Sequence, residues 1–522
     1  MTQTAPIPAD VAATLDDWLR TFGADDANAA ELLVDRHDPE AVAFTTIDVD
    51  GDQLVTVDLT YGDLADRSKR FASALADLGV GRGDTVGVLM GKRAELVVAL
   101  LAIARLGAIY IPLFTAFAPP AIEMRLTAGR ARVVVTEPGQ ADKLDGIEGI
   151  TTIVAGEQFD DMVAAGDPIE DSVAVGGDGS LILLFTSGTT GAPKGVPVPV
   201  RALASFSCYM HYGLDVSADD VFWNAADPGW AYGLYYGVLG PLATGCRNLL
   251  LHAGFSPELT ARILRELDVT NFAAAPTVYR SLSKDASFTG FRLRRASSAG
   301  EPLTPDVIDW ARTALDSEVR DHYGQTEHGM FINNHWHPDV AAPVVPGSMG
   351  TPMPGFAAGI VDGQIAIDVA NSPLIWFTGY LDAPEKTAAR FTGDGAWYLT
   401  GDTGRVDDDG RFWFTARDDD VIIMAGYRIG PFDVESVLIT HPSVVDVAVV
   451  GRPDELRGEV LEAFVVLADG VVGSDDLEKE LQQLVKTGFA AHAYPRAVHF
   501  VDALPKTPSG KIQRFILRKQ ES

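Results

Sequence analysis

Cysteine and positive charge are both scarce in this sequence. The 522 residues include two cysteines, Cys208 and Cys246, and neither stands in a metal-binding or redox spacing. Acidic residues number 72 against 41 basic ones, which gives a formal net charge of -31. A nucleic-acid backbone would be repelled by such a surface. These absences exclude a disulfide framework and argue against a nucleic-acid partner.

Long apolar runs are also lacking. The longest, residues 96–114, is broken by Arg105, Gly107 and Pro112, which is typical of a core helix followed by a buried strand and not of a membrane span. Acidic residues stand near the N-terminus, where a signal peptide needs a basic and then an apolar region. We therefore expect no membrane insertion and a cytoplasmic location.

Helical and strand patterns alternate along most of the chain. Thr60 and Asp63 form a capping-box pattern for a helix that ends before Gly79, and residues 85–90 follow as a buried strand. Residues 94–105 and 259–267 predict helices, each followed by a strand, at 108–112 and 269–274. The sequence predicts a layered α/β fold with large parallel or mixed sheets covered by helices.

The pattern changes near residue 417. The charged run Arg417-Asp418-Asp419-Asp420 follows a strand-like aromatic segment, and about 100 residues come after it, enough for a small domain. Helices are predicted there at 434–440 and 474–487, and strands at 444–450 and 461–467. We predict a large N-terminal α/β domain over residues 1–418 and a small, mobile C-terminal α+β domain over residues 419–522.

One glycine-rich segment has the composition of a phosphate-binding loop. It reads FTSGTTGAPKG from Phe185 to Gly195 and follows an apolar run at 181–184. Backbone N–H groups and hydroxyls of such a loop can surround phosphate while Lys194 supplies positive charge. The spacing is not that of a Walker A loop. The predicted nucleotide contacts are Thr186, Ser187, Gly188, Thr189, Thr190 and Lys194.

This loop resembles the signature of the adenylate-forming superfamily of acyl-CoA synthetases, luciferases and peptide-synthetase adenylation domains. Further segments match in the family's order: SAGEP at 298–302, YGQTE at 323–327, YLTGD at 398–402, GYRI at 426–429 and LPKTPSGKI at 504–512. The motifs are most similar to those of acetyl-CoA and medium-chain acyl-CoA synthetases. The resemblance implies an AMP-forming acyl-CoA synthetase that uses ATP, Mg²⁺ and CoA.

The resemblance also assigns roles to individual residues. Thr326 is implied to contact the α-phosphate, Glu327 to hold Mg²⁺, and Lys511 to bridge the carboxylate and the α-phosphate. A hard cation prefers carboxylate oxygen, and a lysine stabilises the charge that develops during transfer. Arg428 is implied to reach phosphate in the same state. The remaining implied nucleotide contacts are Gly300, Glu301, Pro302, Tyr323, Gln325, the ribose-binding Asp402 and Arg417, with Asp419 as the hinge.

The acyl pocket is implied to comprise Trp230, Tyr232, Ala299 and Gly324. Acetate-specific relatives carry a tryptophan where this chain has Gly324, so the glycine predicts room for several methylenes, each worth roughly 0.8 kcal/mol when buried. A short-to-medium aliphatic acid is therefore expected. Acetate, an aryl acid, a carrier-protein acceptor and a non-catalytic nucleotide-binding role stay open as alternatives. The implied CoA contacts are Gly426, Tyr427, Arg452 and Arg457.

Three local features bear on this resemblance. Ala416 stands where the family usually has glycine, and residues 196–200 read VPVPV where relatives commonly carry His and Thr. The spacing from Pro505 to Lys511 resembles the context in which related bacterial synthetases are acylated. We therefore also expect a lysine acetyltransferase and a deacetylase to act on Lys511.

Overall fold

The computed structural model describes residues 8–186, 193–301, 303–417, 420–424, 427–454, 458–490, 493–506 and 512–519. Within these ranges, helices and strands alternate as the sequence predicts. The strands are β1 (Val42–Asp50), β2 (Gln53–Thr60), β3 (Thr85–Leu89), β4 (Ile109–Leu113), β5 (Val133–Thr136), β6 (Thr151–Val154), β7 (Ser180–Thr186), β8 (Lys194–Pro199), β9 (Phe222–Asn224), β10 (Asn248–Leu251), β11 (Asn271–Ala274), β12 (Arg295–Ala299), β13 (Val319–Gln325), β14 (Gly329–Asn333), β15 (Thr351–Pro352), β16 (Ala358–Val361), β17 (Gln364–Asp368), β18 (Trp397–Val406), β19 (Phe412–Arg417), β20 (Ile422–Met424), β21 (Tyr427–Ile429), β22 (Val444–Asp454), β23 (Gly458–Leu467) and β24 (Ala497–Phe500).

The helices cover the sheets and connect their parallel strands. Short π-helical segments extend α6 and α7 at Tyr209–Gly213 and Tyr235–Leu239. The α-helices are α1 (Ala9–Phe22), α2 (Tyr61–Asp77), α3 (Ala94–Arg105), α4 (Pro119–Gly129), α5 (Glu157–Ala165), α6 (Ala202–Cys208), α7 (Ala231–Leu234), α8 (Gly240–Thr244), α9 (Pro257–Glu266), α10 (Pro276–Lys284), α11 (Pro305–Ala314), α12 (Pro384–Ala388), α13 (Pro431–Leu438), α14 (Asp475–Gly488) and α15 (Arg514–Leu517).

The local sequence signals agree closely with these bounds. The Thr60 hydroxyl accepts a hydrogen bond from the Asp63 backbone N–H, and the Asp63 carboxylate accepts one from the Thr60 N–H, so the predicted capping box is confirmed. Helix α3 spans the predicted residues, whereas β4 and β11 begin one and two residues later than predicted. Both helices predicted for the C-terminal region form as α13 and α14.

Three sheets make up the part of the chain before residue 418. The nine-stranded sheet has the order β15-β14-β13-β12-β11-β9-β10-β1-β2, and the six-stranded sheet has the order β6-β5-β3-β4-β7-β8. Parallel pairs dominate the centres of both sheets, and β16 to β19 form a separate antiparallel sheet. The largest apolar core includes residues from α1, α2, α3 and α6 and from both large sheets. The predicted layered α/β fold is confirmed.

The C-terminal region has its own sheet and its own core. Strands β21, β20, β23 and β22 are neighbours in that order, and β24 pairs with β23. Helices α13 and α14 pack on this sheet through Val434, Leu438, Leu481 and Val485, all of which are buried. This is the α+β arrangement that the sequence predicts, while the boundary at residue 418 stays a prediction.

The VPVPV departure has a structural explanation. Residues 196–199 belong to β8, which pairs antiparallel with β7 at the edge of the six-stranded sheet. Val196 and Val198 are buried in the core, and the intervening Pro197 is tolerated because an edge strand has one side without a pairing partner. The two buried valines therefore hold β8, the strand that begins with Lys194, against the core.

No helix among the residues described is both long enough and apolar enough to cross a bilayer.

Candidate active site

One large cavity, of about 990 Å³, collects most of the residues singled out from the sequence. Its walls come from both parts of the chain, because Lys506, Ile512 and Arg514 line it together with residues of the large sheets. Lys506 and Ile512 pair with each other through an isolated β-bridge. The residues that flank Lys511 in the sequence therefore border the same space as the predicted nucleotide contacts.

The carboxyl ends of β12 and β13 form one side of this cavity. The two strands are parallel neighbours, and Ala299 is the partner of His322. Residues that follow such strand ends meet at one edge of the sheet, where ligands of α/β proteins commonly bind. This places Gly300 and Glu301 beside the 323–327 segment, and Glu301 is held by Arg280 at 2.8 Å.

Two predicted nucleotide contacts, Tyr323 and Gln325, converge on Asp402, the predicted ribose-binding residue. The Tyr323 hydroxyl donates to Asp402 Oδ2 at 2.6 Å, and Gln325 Nε2 donates to the same oxygen at 2.7 Å. Arg417 lies directly opposite Asp402 on the neighbouring strand. Asp402 is buried at the cavity wall, so its carboxylate is oriented before any ligand binds. A fixed carboxylate of this kind can accept hydrogen bonds from two vicinal hydroxyls.

The predicted phosphate contact Lys194 and the predicted Mg²⁺ ligand Glu327 meet at a residue that the sequence did not single out, Tyr380. Its hydroxyl donates to Glu327 Oε1 at 2.7 Å. Arg390 Nε donates to the Tyr380 oxygen at 3.0 Å, and Lys194 Nζ donates to it at 3.2 Å. The Lys194 ammonium also lies 4.3 Å from the centre of the Tyr380 ring. The Tyr380 hydroxyl thus forms hydrogen bonds with two cations and one carboxylate.

The electrostatics of this cluster favour a polyanion. Burial lowers the pKa of Lys194, repulsion from Arg390 lowers it further, and Glu327 opposes the change. Burial and the neighbouring Glu327 raise the pKa of Tyr380 well above its usual value, so the hydroxyl keeps its proton. Two cations held against one carboxylate leave excess positive charge, which phosphate groups would neutralise.

Glu327 fits the part of a Mg²⁺ ligand. It is buried at the cavity wall, and its second carboxylate oxygen makes no hydrogen bond within the described ranges. Those ranges contain no group of three or more His, Cys, Asp or Glu side chains that could hold a metal. Mg²⁺ in nucleotide sites commonly takes one or two carboxylates and completes its octahedron with phosphate oxygens and water. One carboxylate beside a phosphate site is consistent with that pattern.

The predicted acyl residues also line the cavity. Trp230 packs against Phe114 and Phe117, with ring centres 5.3 Å apart in each pair. Ala299, at the end of β12, is buried and adds little bulk. The aromatic wall makes this end more apolar than the phosphate end.

Tyr232 begins a buried hydrogen-bonded chain. Its hydroxyl lies 3.1 Å from that of Tyr209, which lies 2.6 Å from His322 Nδ1. Burial lowers the pKa of His322 to about 3, so the ring is neutral, and Nε2 lies 3.2 Å from the Asn334 carbonyl oxygen. If Nε2–H donates to that carbonyl, Nδ1 must accept from Tyr209, and Tyr209 must accept from Tyr232. Each donor in the chain therefore points away from the acyl pocket, where Tyr232 is the first donor.

Gly324 borders the cavity but does not provide the space that the sequence suggested. A Cβ added here would lie 2.2 Å from the Gly329 carbonyl oxygen and 2.6 Å from Met330 Cα. The register of β13 and β14 shifts between Tyr323 and Gly324, and this shift brings the β14 backbone against Gly324. The expectation that glycine opens room for methylenes in this direction is wrong, because backbone fills it.

Several sequence predictions lie outside the described residues or away from the cavity. Arg452 donates to Glu462 at 3.2 Å and to the Arg518 carbonyl oxygen at 2.8 Å, and it does not line the cavity. Tyr427 and Arg428 belong to β21, but their side chains are outside the described part. The residues that lie outside it altogether are Ser187, Gly188, Thr189, Thr190, Pro302, Asp419, Gly426, Arg457 and Lys511.

The sequence contained a signal for the residues that were missed. Tyr380 ends the aromatic segment 376–380, and Lys386 and Arg390 follow within ten residues, on and just after α12. All three residues are near or on the cavity, and Lys386 and Arg390 line it.

The fold and the cavity define a two-part α/β enzyme that binds a nucleotide beside an apolar pocket. Residues 34–369 match the AMP-binding enzyme family, and residues 433–511 match the AMP-binding enzyme C-terminal domain. The acetyl-coenzyme A synthetase of Bacillus subtilis is 36% identical over 95% of this chain and 90% of its own length. The chain belongs to the AMP-binding enzyme family and is an AMP-forming acyl-CoA synthetase.

Solved structures agree with this assignment. A Brucella canis acyl-CoA synthetase is 44% identical, with a TM-score of 0.75 over 97% of this chain and 96% of that one. MatB from Rhodopseudomonas palustris, 28% identical in its ATP-bound form and 27% in its apo form, was solved in both states, each covering 94% of this chain and 98% of its own. The TM-score is 0.83 for the ATP-bound form and 0.74 for the apo form. By this measure the overall structure is more similar to the ATP-bound form than to the apo form.

Proposed function

We propose that this synthetase activates a short-to-medium-chain carboxylic acid with ATP and Mg²⁺ and passes the acyl group to CoA. A carboxylate oxygen of the acid attacks the α-phosphorus, the bond from phosphorus to the bridging oxygen breaks, and pyrophosphate leaves. The CoA thiol then attacks the acyl carbon, the carbon–oxygen bond to AMP breaks, and the thiol proton is released to solvent. The observation that carries the proposal is that one cavity joins the Asp402 ribose contacts, the Lys194–Arg390 cations and the Trp230 pocket.

In the first half-reaction, charge stabilisation is the main task of the chain. Lys194 and Arg390 would bind the phosphates that leave, and Thr326 would contact the α-phosphate. Lys511 would lie between the two anionic reactants, which the position of its neighbours Lys506 and Ile512 on the cavity supports. Glu327 would hold Mg²⁺, whose positive charge neutralises the pyrophosphate. Positioned charges in a site that excludes water act most strongly where negative charge develops.

The substrate class is inferred from the apolar end of the cavity. Trp230, Phe114 and Ala299 offer an apolar surface, and Tyr232 and His322, which are hydrogen-bonded through Tyr209, line the same cavity. A pocket bordered in this way suits an aliphatic acid of a few carbons more than a long one. Acetate and aryl acids remain alternatives for the same pocket, and a carrier protein remains the alternative acceptor.

The second half-reaction is proposed to require movement of the small domain about a hinge at Asp419. CoA would then approach along the segment that begins at Gly426. Domain rotation of this kind changes which groups face the reacting atoms. Arg452 is a weaker candidate for a CoA contact, since it is bound to Glu462 and to the C-terminal segment in the present arrangement.

Acylation of Lys511 is proposed as a regulatory modification. It would remove the charge that adenylation needs and leave the second half-reaction intact. A sample acetylated only at Lys511 should fail to form acyl-AMP but should convert supplied acyl-AMP to acyl-CoA. Normal adenylation by that sample would reject the proposal.

The proposed substrate class is tested by CoA-dependent AMP formation over acids from acetate to dodecanoate, with benzoate included. Activity that peaks between four and eight carbons is expected, because the polar groups of Tyr232 and His322 line the same cavity as the apolar Trp230 and Phe114. Ala299→Val should move the peak to shorter acids because Ala299 lines the cavity. Ala296→Val, on the same strand but away from the cavity, is the matched control for core strain. Activity with acetate alone, or with benzoate alone, would refute the class.

A further inference from the structure

Among the residues that the structure describes, Tyr380 is the side chain that forms hydrogen bonds with all three charged groups of the phosphate end, Lys194, Arg390 and Glu327. Its hydroxyl can donate one hydrogen bond and accept two. The donor goes to Glu327, and the two acceptor sites receive Arg390 and Lys194. The hydrogen-bonding capacity of the phenol is therefore filled by the protein itself, and the orientation of each partner is fixed.

The Tyr380 hydroxyl lies between the two cations and the Glu327 carboxylate, which would otherwise form a direct ion pair. Among the residues described, neither Lys194 nor Arg390 forms a salt bridge with Glu327, although each lies within one hydrogen bond of the Tyr380 oxygen. Without that oxygen, the cations and the carboxylate would be free to pair with one another. Such pairing would neutralise charges that are otherwise available to a ligand.

Tyr380 is itself held rigidly. Its backbone N–H donates to the Thr387 hydroxyl at 2.9 Å, and its ring packs against Phe377 at 5.0 Å between centres. The next residue, Leu381, donates its N–H to the Gly195 carbonyl oxygen at 2.8 Å. Gly195 directly follows Lys194 on β8, so the tyrosine and the lysine are attached to the same strand.

The same cluster reaches the ribose side. Arg390 Nη1 donates to the Thr400 carbonyl oxygen at 3.0 Å, and Gln325 Nε2 donates to that oxygen at 2.9 Å as well as to Asp402. Arg390 therefore joins Tyr380 to the strand that carries Asp402. A displacement at the phosphate end would be limited by this connection, because Asp402 is also fixed by Tyr323.

We propose that Tyr380 is a positioning residue that keeps Lys194, Arg390 and Glu327 apart and aimed at the β- and γ-phosphates of ATP. The proposal rests on the proposed function. Tyr380 is assigned to the binding of the phosphates and not of the adenosine, because Tyr380 contacts none of Asp402, Tyr323 and Glu301. Loss of the hydroxyl should therefore separate the binding of ATP from the binding of AMP.

The test compares Tyr380→Phe with the wild-type enzyme by calorimetric binding of AMP and of a non-hydrolysable ATP analogue, each with Mg²⁺ and with EDTA. Phenylalanine keeps the ring and its packing and removes only the hydroxyl. The Kd for the ATP analogue with Mg²⁺ should rise about tenfold, as expected for loss of a hydrogen-bonded network among charged groups. The Kd for AMP should change by less than about twofold.

Tyr279→Phe is the matched control. The Tyr279 hydroxyl is also buried and has two backbone carbonyl oxygens within hydrogen-bond distance, at 3.0 and 3.1 Å, but Tyr279 does not line the cavity. It should bind both ligands as the wild type does. Arg390→Lys, which loses the Nε donor to Tyr380, provides a second variant and should show the same selective loss if Tyr380→Phe fails to fold.

Unchanged binding of the ATP analogue by Tyr380→Phe would overturn the proposal, and equal weakening of both ligands would overturn it as well. Failure of the proposed function is distinguishable, because it would appear as the absence of CoA-dependent AMP formation in the wild-type enzyme. The binding comparison does not depend on that activity.

Discussion

Arg514 forms an ion pair with both carboxylate oxygens of Glu435 beside the cavity. Arg514 Nη2 lies 2.8 and 2.9 Å from the two carboxylate oxygens of Glu435, and Arg514 Nη1 lies 3.4 Å from Asp420. Asp420 also accepts a hydrogen bond from Arg518 at 2.7 Å. These pairs attach α15 to the start of the small domain. Helix α15 begins at Arg514, three residues after Lys511.

Arg514→Met should impair adenylation more than thioester formation. The pair fixes the helix that follows Lys511. Its loss leaves the buried Glu435 carboxylate with the Val449 backbone N–H as a donor but with no arginine opposite it, and breaking a buried ion pair in this way costs roughly 3–5 kcal/mol. We expect acyl-AMP formation to slow by about tenfold or more, since misplacement by about 1 Å can cost this much. Conversion of supplied acyl-AMP to acyl-CoA should change little. Rapid-quench measurement of each half-reaction checks this.

Lys519→Met is the control for that experiment, because Lys519 is exposed on the turn that ends the same helix. It should leave both half-reactions unchanged. Equal slowing of both steps in Arg514→Met would show that the arginine serves domain stability alone.

Asp321→Asn should stabilise the protein in a pH-dependent way. Burial raises the pKa of Asp321 to about 8, against an ordinary value of 3.8. Between these values the folded protein keeps a proton that the unfolded chain has released. The free energy of unfolding of the wild type therefore falls as pH rises, by at most about 1.4 kcal/mol per pH unit. Asparagine carries no such penalty and still offers an oxygen to the backbone N–H groups.

The stability advantage of Asp321→Asn should thus grow from about pH 4 to pH 8 and stay constant above that. Chemical denaturation at pH 5, 7 and 9 measures it, with Asp408→Asn as an exposed control for the loss of one charge. A difference that does not vary with pH would contradict the assignment of a protonated Asp321.

Tyr209→Phe should change the acid profile. The substitution removes the hydroxyl that accepts from Tyr232 and donates to His322, and it leaves both without that partner. Unpaired buried polar groups cost about 1–3 kcal/mol each. Acids that reach Tyr232 should lose about tenfold in kcat/KM relative to shorter acids, because an apolar tail cannot satisfy the free hydroxyl. The same loss for every acid would indicate a general effect on folding.

Gly324→Ala should damage the enzyme for every acid alike. Its Cβ would approach the Gly329 carbonyl oxygen to 2.2 Å, so β13 and β14 would have to separate. We expect a fall in Tm of about 2 °C, the size of shift expected for about 2 kcal/mol in a protein of this length. Gly139→Ala meets open space and should keep both Tm and activity. A shift in chain-length preference without loss of stability would contradict this account.

Local elements followed closely from the sequence because their causes are local. The capping box of Thr60 and Asp63 needs contacts between residues three apart, and α3 is set by a continuous run of helix-forming apolar residues. The predicted order of α and β elements likewise gave the α/β class. The nucleotide residues Asp402, Tyr323 and Gln325 were found because a resemblance carried them, and the structure brings them together on one carboxylate.

The sequence by itself thus determined the elements, the family and the residue types of the site. Only the tertiary structure decided that Tyr380 joins Glu327, 53 residues away, and Lys194, 186 residues away. It also decided that backbone fills the space beside Gly324. The physical reason is the same in both cases: hydrogen bonds and close packing depend on distances between segments remote in sequence, and the pattern of residues along one segment does not contain those distances.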